Sequence, residues 1–126
     1  MLKQMILVIS PNDERSKPIR ECLEKAGYRV LVARLGQESL EIVRTQRPDL
    51  ALLDWKLPDL SSLAVIRTIR SEEAILKLPI IMQEVNMQGE DFIRGLEAGA
   101  DMCLDQPFHP GILIARVRAL LRNSHL

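Results

Sequence analysis

Five short apolar runs, separated by segments with helical periodicity, constrain this chain more than any other feature. The runs are Met5-Ile6-Leu7-Val8-Ile9, Tyr28-Arg29-Val30-Leu31-Val32, Leu50-Ala51-Leu52-Leu53, Pro79-Ile80-Ile81-Met82 and Met102-Cys103-Leu104. An unbroken run such as Leu50 to Leu53 suits a strand covered on both faces, the environment of a parallel sheet whose crossovers are helices. Five βα units therefore predict an α/β fold. The third run ends in a single carboxylate, Asp54, followed by Leu57-Pro58-Asp59. In open parallel sheets the carboxyl ends of the strands face the binding crevice, so Asp54 stands where chemistry is done.

The intervening segments supply the helices. Ser16 is expected to cap the first, with Pro18 in its first turn, Ile19, Cys22, Leu23 and Ala26 on one face, and Gly27 past its end. Leu40 and Val43 line a second helix, and Ser61 or Ser62 caps a third carrying Leu63, Ile66 and Ile69. Phe92, Ile93 and Leu96 mark a fourth that ends at Gly99, and Leu113, Val117, Leu120 and Leu121 line a fifth. Right-handed crossovers place these helices on both faces of the sheet, which predicts a doubly wound, flavodoxin-like (βα)5 fold with strand order 2-1-3-4-5. Strands one and three are then neighbours, and the crevice is built from Ser10-Pro11, Asp54, Gln83-Glu84 and Asp105-Gln106.

The chain's 126 residues, 47% of them hydrophobic, suffice for one sizeable core and not for two. One domain is expected over residues 1–122, with 123–126 as a frayed tail. Lys plus Arg equals Asp plus Glu at 17 each, so no basic surplus exists to hold nucleic acid through phosphate contacts. The apolar run after Met1 is too short for a signal peptide or membrane span, and Cys22 and Cys103 match no metal-ligand spacing. A reduced, cytoplasmic protein without membrane attachment is expected.

Three stretches carry a more specific signal: Leu52-Leu53-Asp54-Trp55-Lys56-Leu57-Pro58-Asp59, Gly95-Leu96-Glu97-Ala98-Gly99-Ala100-Asp101, and Pro107-Phe108 leading into 113–122. With them the chain resembles a response-regulator receiver domain, most closely the receivers of winged-helix transcription regulators. The resemblance implies that a sensor histidine kinase is the partner and that Asp54 is the phosphoacceptor. Such transfer demands charge neutralisation around the moving phosphoryl group more than covalent chemistry. Receivers provide it through an acidic pair after strand one that holds Mg²⁺, a hydroxyl residue after strand four and a lysine after strand five. At the matching positions this chain has Ser10 and Pro11, Glu84, and Gln106.

Every helper is thus replaced. Serine offers one neutral oxygen and proline none, so Mg²⁺ is expected to bind weakly or not at all and no other cofactor is expected. Glu84 adds negative charge beside Asp54, which disfavours both ionised forms and an incoming phosphoryl group; Gln106 removes a positive charge. Glu84 is read as a solvated carboxylate turned away from the pocket, its alternative being a cation site shared with Asp54. Lys56, two residues from Asp54 on an extended strand, is either a substitute positive charge or an exposed loop lysine. Cys103 holds the position of the aromatic that in receivers moves when the aspartate is modified.

The resemblance also implies a cis Gln106-Pro107 bond and, through Glu97, Asp101 and Arg116, a homodimer along the fourth and fifth helices. Phe92 and Met102 add apolar groups to that surface. His109 reads as a helix-start residue rather than a base. The expectation is an atypical, or pseudo-receiver, module that acts by protein contact and is not an enzyme. Its rival is a receiver still phosphorylated at Asp54 that regulates transcription through a DNA-binding domain outside this sequence. A small α/β enzyme or flavin binder is disfavoured, because Ser10-Pro11-Asn12-Asp13-Glu14 lacks the glycines that cradle a phosphate.

Overall fold

A computed structural model describes residues 2–85 and 88–123. Five strands alternate with five helices: β1 (Met5–Ile9), α1 (Asp13–Lys25), β2 (Arg29–Ala33), α2 (Gly36–Gln46), β3 (Leu50–Asp54), α3 (Ser62–Ser71), β4 (Ile80–Val85), α4 (Gly89–Ala98), β5 (Met102–Gln106) and α5 (Pro110–Asn123). The strands form one parallel sheet in the order β2-β1-β3-β4-β5, as the pattern of apolar runs predicts. β1 and β3 are central and buried along their whole length, which explains why neither shows polar alternation.

Successive side chains of these strands feed two cores. Leu7, Ile9, Ala51 and Leu53 pack with Leu40, Val43, Leu63, Ile66, Ile69 and Ala98 from α2, α3 and α4. Ile6, Val8, Leu50 and Leu52 pack with Ile19, Leu23, Leu113, Val117 and Leu121 from α1 and α5. The alternation follows from the two-residue period of a strand, so both faces of one apolar run are consumed.

Several boundaries differ from those expected. α1 begins at Asp13, because the Asn12 side chain accepts the Arg15 N–H and caps the helix; Ser16 lies inside it and is buried. Pro18 is consequently in the helix interior, where it lacks the N–H that would bond the Glu14 carbonyl. Ser61 caps α3, its Oγ accepting from the Ala64 N–H at 3.0 Å. β2 starts one residue after Tyr28, and β3, β4 and β5 run on to Asp54, Val85 and Gln106. Ladder hydrogen bonds therefore extend through the polar residues that end the apolar runs. On α4 the buried residues are Gly95 and Ala98, whereas Ile93 and Leu96 are exposed. Apart from half-buried Phe92, the helix seats small residues and backbone on the sheet. Asn123 closes α5 instead of opening a tail; residues 124–126 lie outside the described residues.

Candidate functional site

Asp54 ends β3 in register with Gln83 of β4, and Ser10 follows β1 on its other side. The carboxylate is 1% exposed and both of its oxygens are engaged. On the β1 side, the Ser10 hydroxyl donates to Oδ2 at 2.6 Å, and an Arg15 guanidinium nitrogen lies 3.2 Å from the same oxygen. On the β4 side, Gln83 Nε2 donates to Oδ1 at 2.8 Å. Gln83 Oε1 in turn accepts from Gln106 Nε2 at 2.7 Å. A buried carboxylate needs such partners, since an uncompensated charge away from water is costly.

Of these partners only Arg15 lies outside the residues that the sequence places at the crevice; Gln83 is among them, without its role as donor to Asp54. Arg15 escapes notice when the helix is taken to begin at Ser16, because its place in the first turn of α1 then goes unrecognised. The Gln83 amide, buried directly after the apolar run Ile80-Ile81-Met82, calls for such a hydrogen-bond partner. Arg15 also reaches Glu84, whose Oε1 is 3.6 Å from the second guanidinium nitrogen and whose side chain is only 13% exposed. Glu84 is therefore turned toward the pocket, not away from it. It shares a cation with Asp54, and that cation belongs to the protein.

Burial pushes the Asp54 carboxyl above its ordinary value; the hydrogen bonds from Ser10 and Gln83 and the charge of Arg15 pull it down, and the charge of Glu84 pushes it up. The residues do not fit a magnesium ion. Mg²⁺ favours carboxylate and water oxygens in octahedral array, whereas the β1 side of Asp54 offers one serine hydroxyl, an exposed proline at position 11 and a guanidinium already in place. Among the described residues, no group of three or more His, Cys, Asp or Glu side chains could hold a metal ion.

The remaining residues are distributed around this centre. Lys56 is exposed and forms no ion pair with Asp54 among the described residues. Trp55 is half-buried against the core, with the Arg94 guanidinium 5.9 Å above its ring. Cys103 is buried beneath α4, where a Cβ built on Gly95 would come within 3.5 Å of its sulfur; burial pushes its thiol up. The Gln106-Pro107 bond is cis. His109 Nδ1 accepts from the Gly111 N–H at 3.1 Å, so the ring serves the start of α5.

Of the surface positions, Glu97 and Arg116 are exposed. Phe92 and Met102 are half-buried and packed against the two cores, and an Arg116 nitrogen approaches the Met102 sulfur at 3.9 Å. Asp101 is engaged within the chain: its Oδ2 accepts from the Ile80 N–H at 2.8 Å and from Arg70 at 3.0 Å. Asp59 has a local task too. It accepts the Gly36 and Gln37 N–H groups at 2.8 and 2.9 Å, capping α2 from a distant loop where Leu35 has no capping side chain.

Residues 6–118 match the response regulator receiver domain family. The chain is 36% identical over 124 residues to the phosphate regulon transcriptional regulatory protein PhoB of Pseudomonas aeruginosa, covering 98% of this chain and 54% of that protein. It is 35% identical over 125 residues to the alkaline phosphatase synthesis transcriptional regulatory protein PhoP of Bacillus subtilis, covering 99% and 51%. The chain thus spans about half the length of these curated relatives. Among solved structures it is similar to the receiver domain of a Pseudomonas aeruginosa sensor histidine kinase with magnesium coordinated in the active site cleft (TM-score 0.88, 29% identity, 95% of this chain and 98% of that one). It is also similar to a Francisella response regulator receiver domain (TM-score 0.88, 27% identity, 97% and 99%). Among the described residues no helix is long and apolar enough to cross a membrane. With its sheet order, its aspartate at the end of β3 and a match over nearly the whole chain, the protein belongs to the response regulator receiver family of two-component signalling modules.

Proposed function

We propose that this receiver signals mainly by protein contact and that Asp54 is withdrawn from ordinary magnesium-assisted phosphoryl transfer. One observation carries the reading: both Asp54 oxygens are occupied from within the chain, Oδ2 by Ser10 and Arg15 and Oδ1 by Gln83, in a side chain 1% exposed. In-line attack on phosphorus needs a free lone pair and an open approach. Here Ser10 and Arg15 fill the approach, and no acidic pair directly follows β1 to hold the metal. The partner is a histidine kinase or another signalling protein in the cytoplasm. A homodimer through α4 and α5 is supported by the exposed apolar side chains of Ile93 and Leu96 beside the exposed Glu97. The relatives are transcriptional regulators, and control of transcription is the proposed output.

The rival reading, a receiver still phosphorylated at Asp54, is favoured by the same Arg15, a cation already beside the acceptor oxygen. Phosphate-affinity electrophoresis after incubation with acetyl phosphate or a kinase from the same genome separates the two. The proposal expects no shifted band. A shifted band that disappears in Asp54→Ala would establish the rival.

A further inference from the structure

We propose that the Arg15 guanidinium is the resident cation of this pocket: it bridges Asp54 and Glu84 and by doing so keeps a divalent metal ion out. The inference deepens the reading of a pocket not served by magnesium and rests on it. One guanidinium nitrogen lies 3.2 Å from Asp54 Oδ2 and the other 3.6 Å from Glu84 Oε1, so one fork spans both carboxylates of the pocket. These are the hard, anionic oxygens that a divalent ion would seek.

Local structure gives Arg15 no other reason to be there. It stands in the first turn of α1, where the helix dipole disfavours a cation, and its Nε is buried without a hydrogen-bond partner. Charge, not saturated hydrogen bonding, holds the group in place. Ser10 completes the arrangement, since its hydroxyl donates to the same Oδ2 and accepts from the Asn12 N–H at 3.3 Å, tying the start of α1 to the acceptor. Position 15 is then the determinant of metal response. With a neutral side chain there, Asp54 and Glu84 lose the guanidinium that bridges them and are expected to recruit a divalent ion in its place.

The test is a Mn²⁺ titration up to about 10 mM read by the fluorescence of Trp55, the only tryptophan and the neighbour of Asp54. The wild type and Arg15→Lys are expected to give a flat response. Arg15→Gln is expected to show saturable quenching with an affinity about tenfold or more above any wild-type response, and Arg15→Gln with Asp54→Asn to lose it. Wild-type quenching equal to that of Arg15→Gln would overturn the proposal, as would a flat response in folded Arg15→Gln or an Arg15→Lys variant as sensitive as Arg15→Gln. If Arg15→Gln does not fold by circular dichroism, Arg15→Met, which keeps much of the aliphatic stem, is judged by the same criteria. Phosphorylation of the wild type would overturn the proposed function without altering this titration, so the two failures are distinguishable.

Discussion

Gln106 donates its side-chain amide to that of Gln83 at 2.7 Å, and through this contact the end of β5 is tied to the acceptor carboxylate at the end of β3. Gln83 is 1% exposed and serves as donor on one side and acceptor on the other. Its truncation takes the donor from Asp54 Oδ1 and the acceptor from Gln106 Nε2. Gln83→Ala is therefore expected to cost about 1–3 kcal/mol of unfolding free energy, measured by urea denaturation at neutral pH. Gln106→Ala removes only the outer link and is expected to cost less. Equal losses would mean that the amide chain does not run in this order.

The raised Asp54 carboxyl has a definite sign in the pH dependence of folding. Burial lifts its folded-state value above that of the unfolded chain, so the native state binds the proton more tightly. Its contribution to stability is fully present below the ordinary carboxylate value and is lost as pH rises through the raised one. The stability of the wild type minus that of Asp54→Asn is expected to fall as pH rises from about 4 to 7, other titrating groups largely cancelling in the difference. Paired denaturation curves check it. A difference that grew with pH would show the carboxylate to be better stabilised folded than unfolded, with Arg15 outweighing burial.

The sheet order, the two-faced core and the place of Asp54 were legible in the sequence because they depend on runs of apolar residues and on the end of one such run. What filled the pocket was less legible, because it depends on where α1 starts. Taking Ser16 as the cap hid Arg15 in a loop; with Asn12 as the cap, Arg15 stands in the first turn and reaches Asp54. Glu84 shows the same limit. As a lone acid at a strand end it reads as solvated, and only the arginine across the crevice turns it inward. Asp59 was recognisable as part of a motif, yet its physical task, capping a helix that begins at Gly36, requires two loops to meet in space.

That task gives a third prediction. Asp59→Ala leaves the Gly36 and Gln37 N–H groups without their carboxylate and is expected to cost about 1 kcal/mol, as loss of a helix N-cap does. Those two hydrogen bonds, from Gln37 foremost, hold the Asp59 carboxyl below its ordinary value. Its contribution is therefore present above the ordinary carboxylate value and lost as pH falls through the lowered one. The wild type and Asp59→Ala are expected to converge in stability in acid, opposite in sense to the Asp54 comparison. Thermal unfolding of both proteins across acidic pH tests this, and a gap that persists at the acid end would refute it.

Gly95 tests how α4 is seated. A Cβ there would lie 2.9 Å from the sulfur of fully buried Met82 and 3.5 Å from that of Cys103, so the helix rests on β4 and β5 with no space for a methyl group. Two effects oppose each other in Gly95→Ala. Helix propensity favours alanine by about 1 kcal/mol, while overpacking a closed contact costs about 1–3 kcal/mol. Met82 sits in the middle of its strand with its sulfur, not its terminal methyl, as the nearer atom, so repacking it shifts the core as well. A net loss of about 1 kcal/mol is expected, with α4 displaced outward and the Arg94–Trp55 contact weakened. Urea denaturation reads the first effect and Trp55 emission the second; a stabilised variant with unchanged emission would mean that the seat of α4 is looser than its geometry.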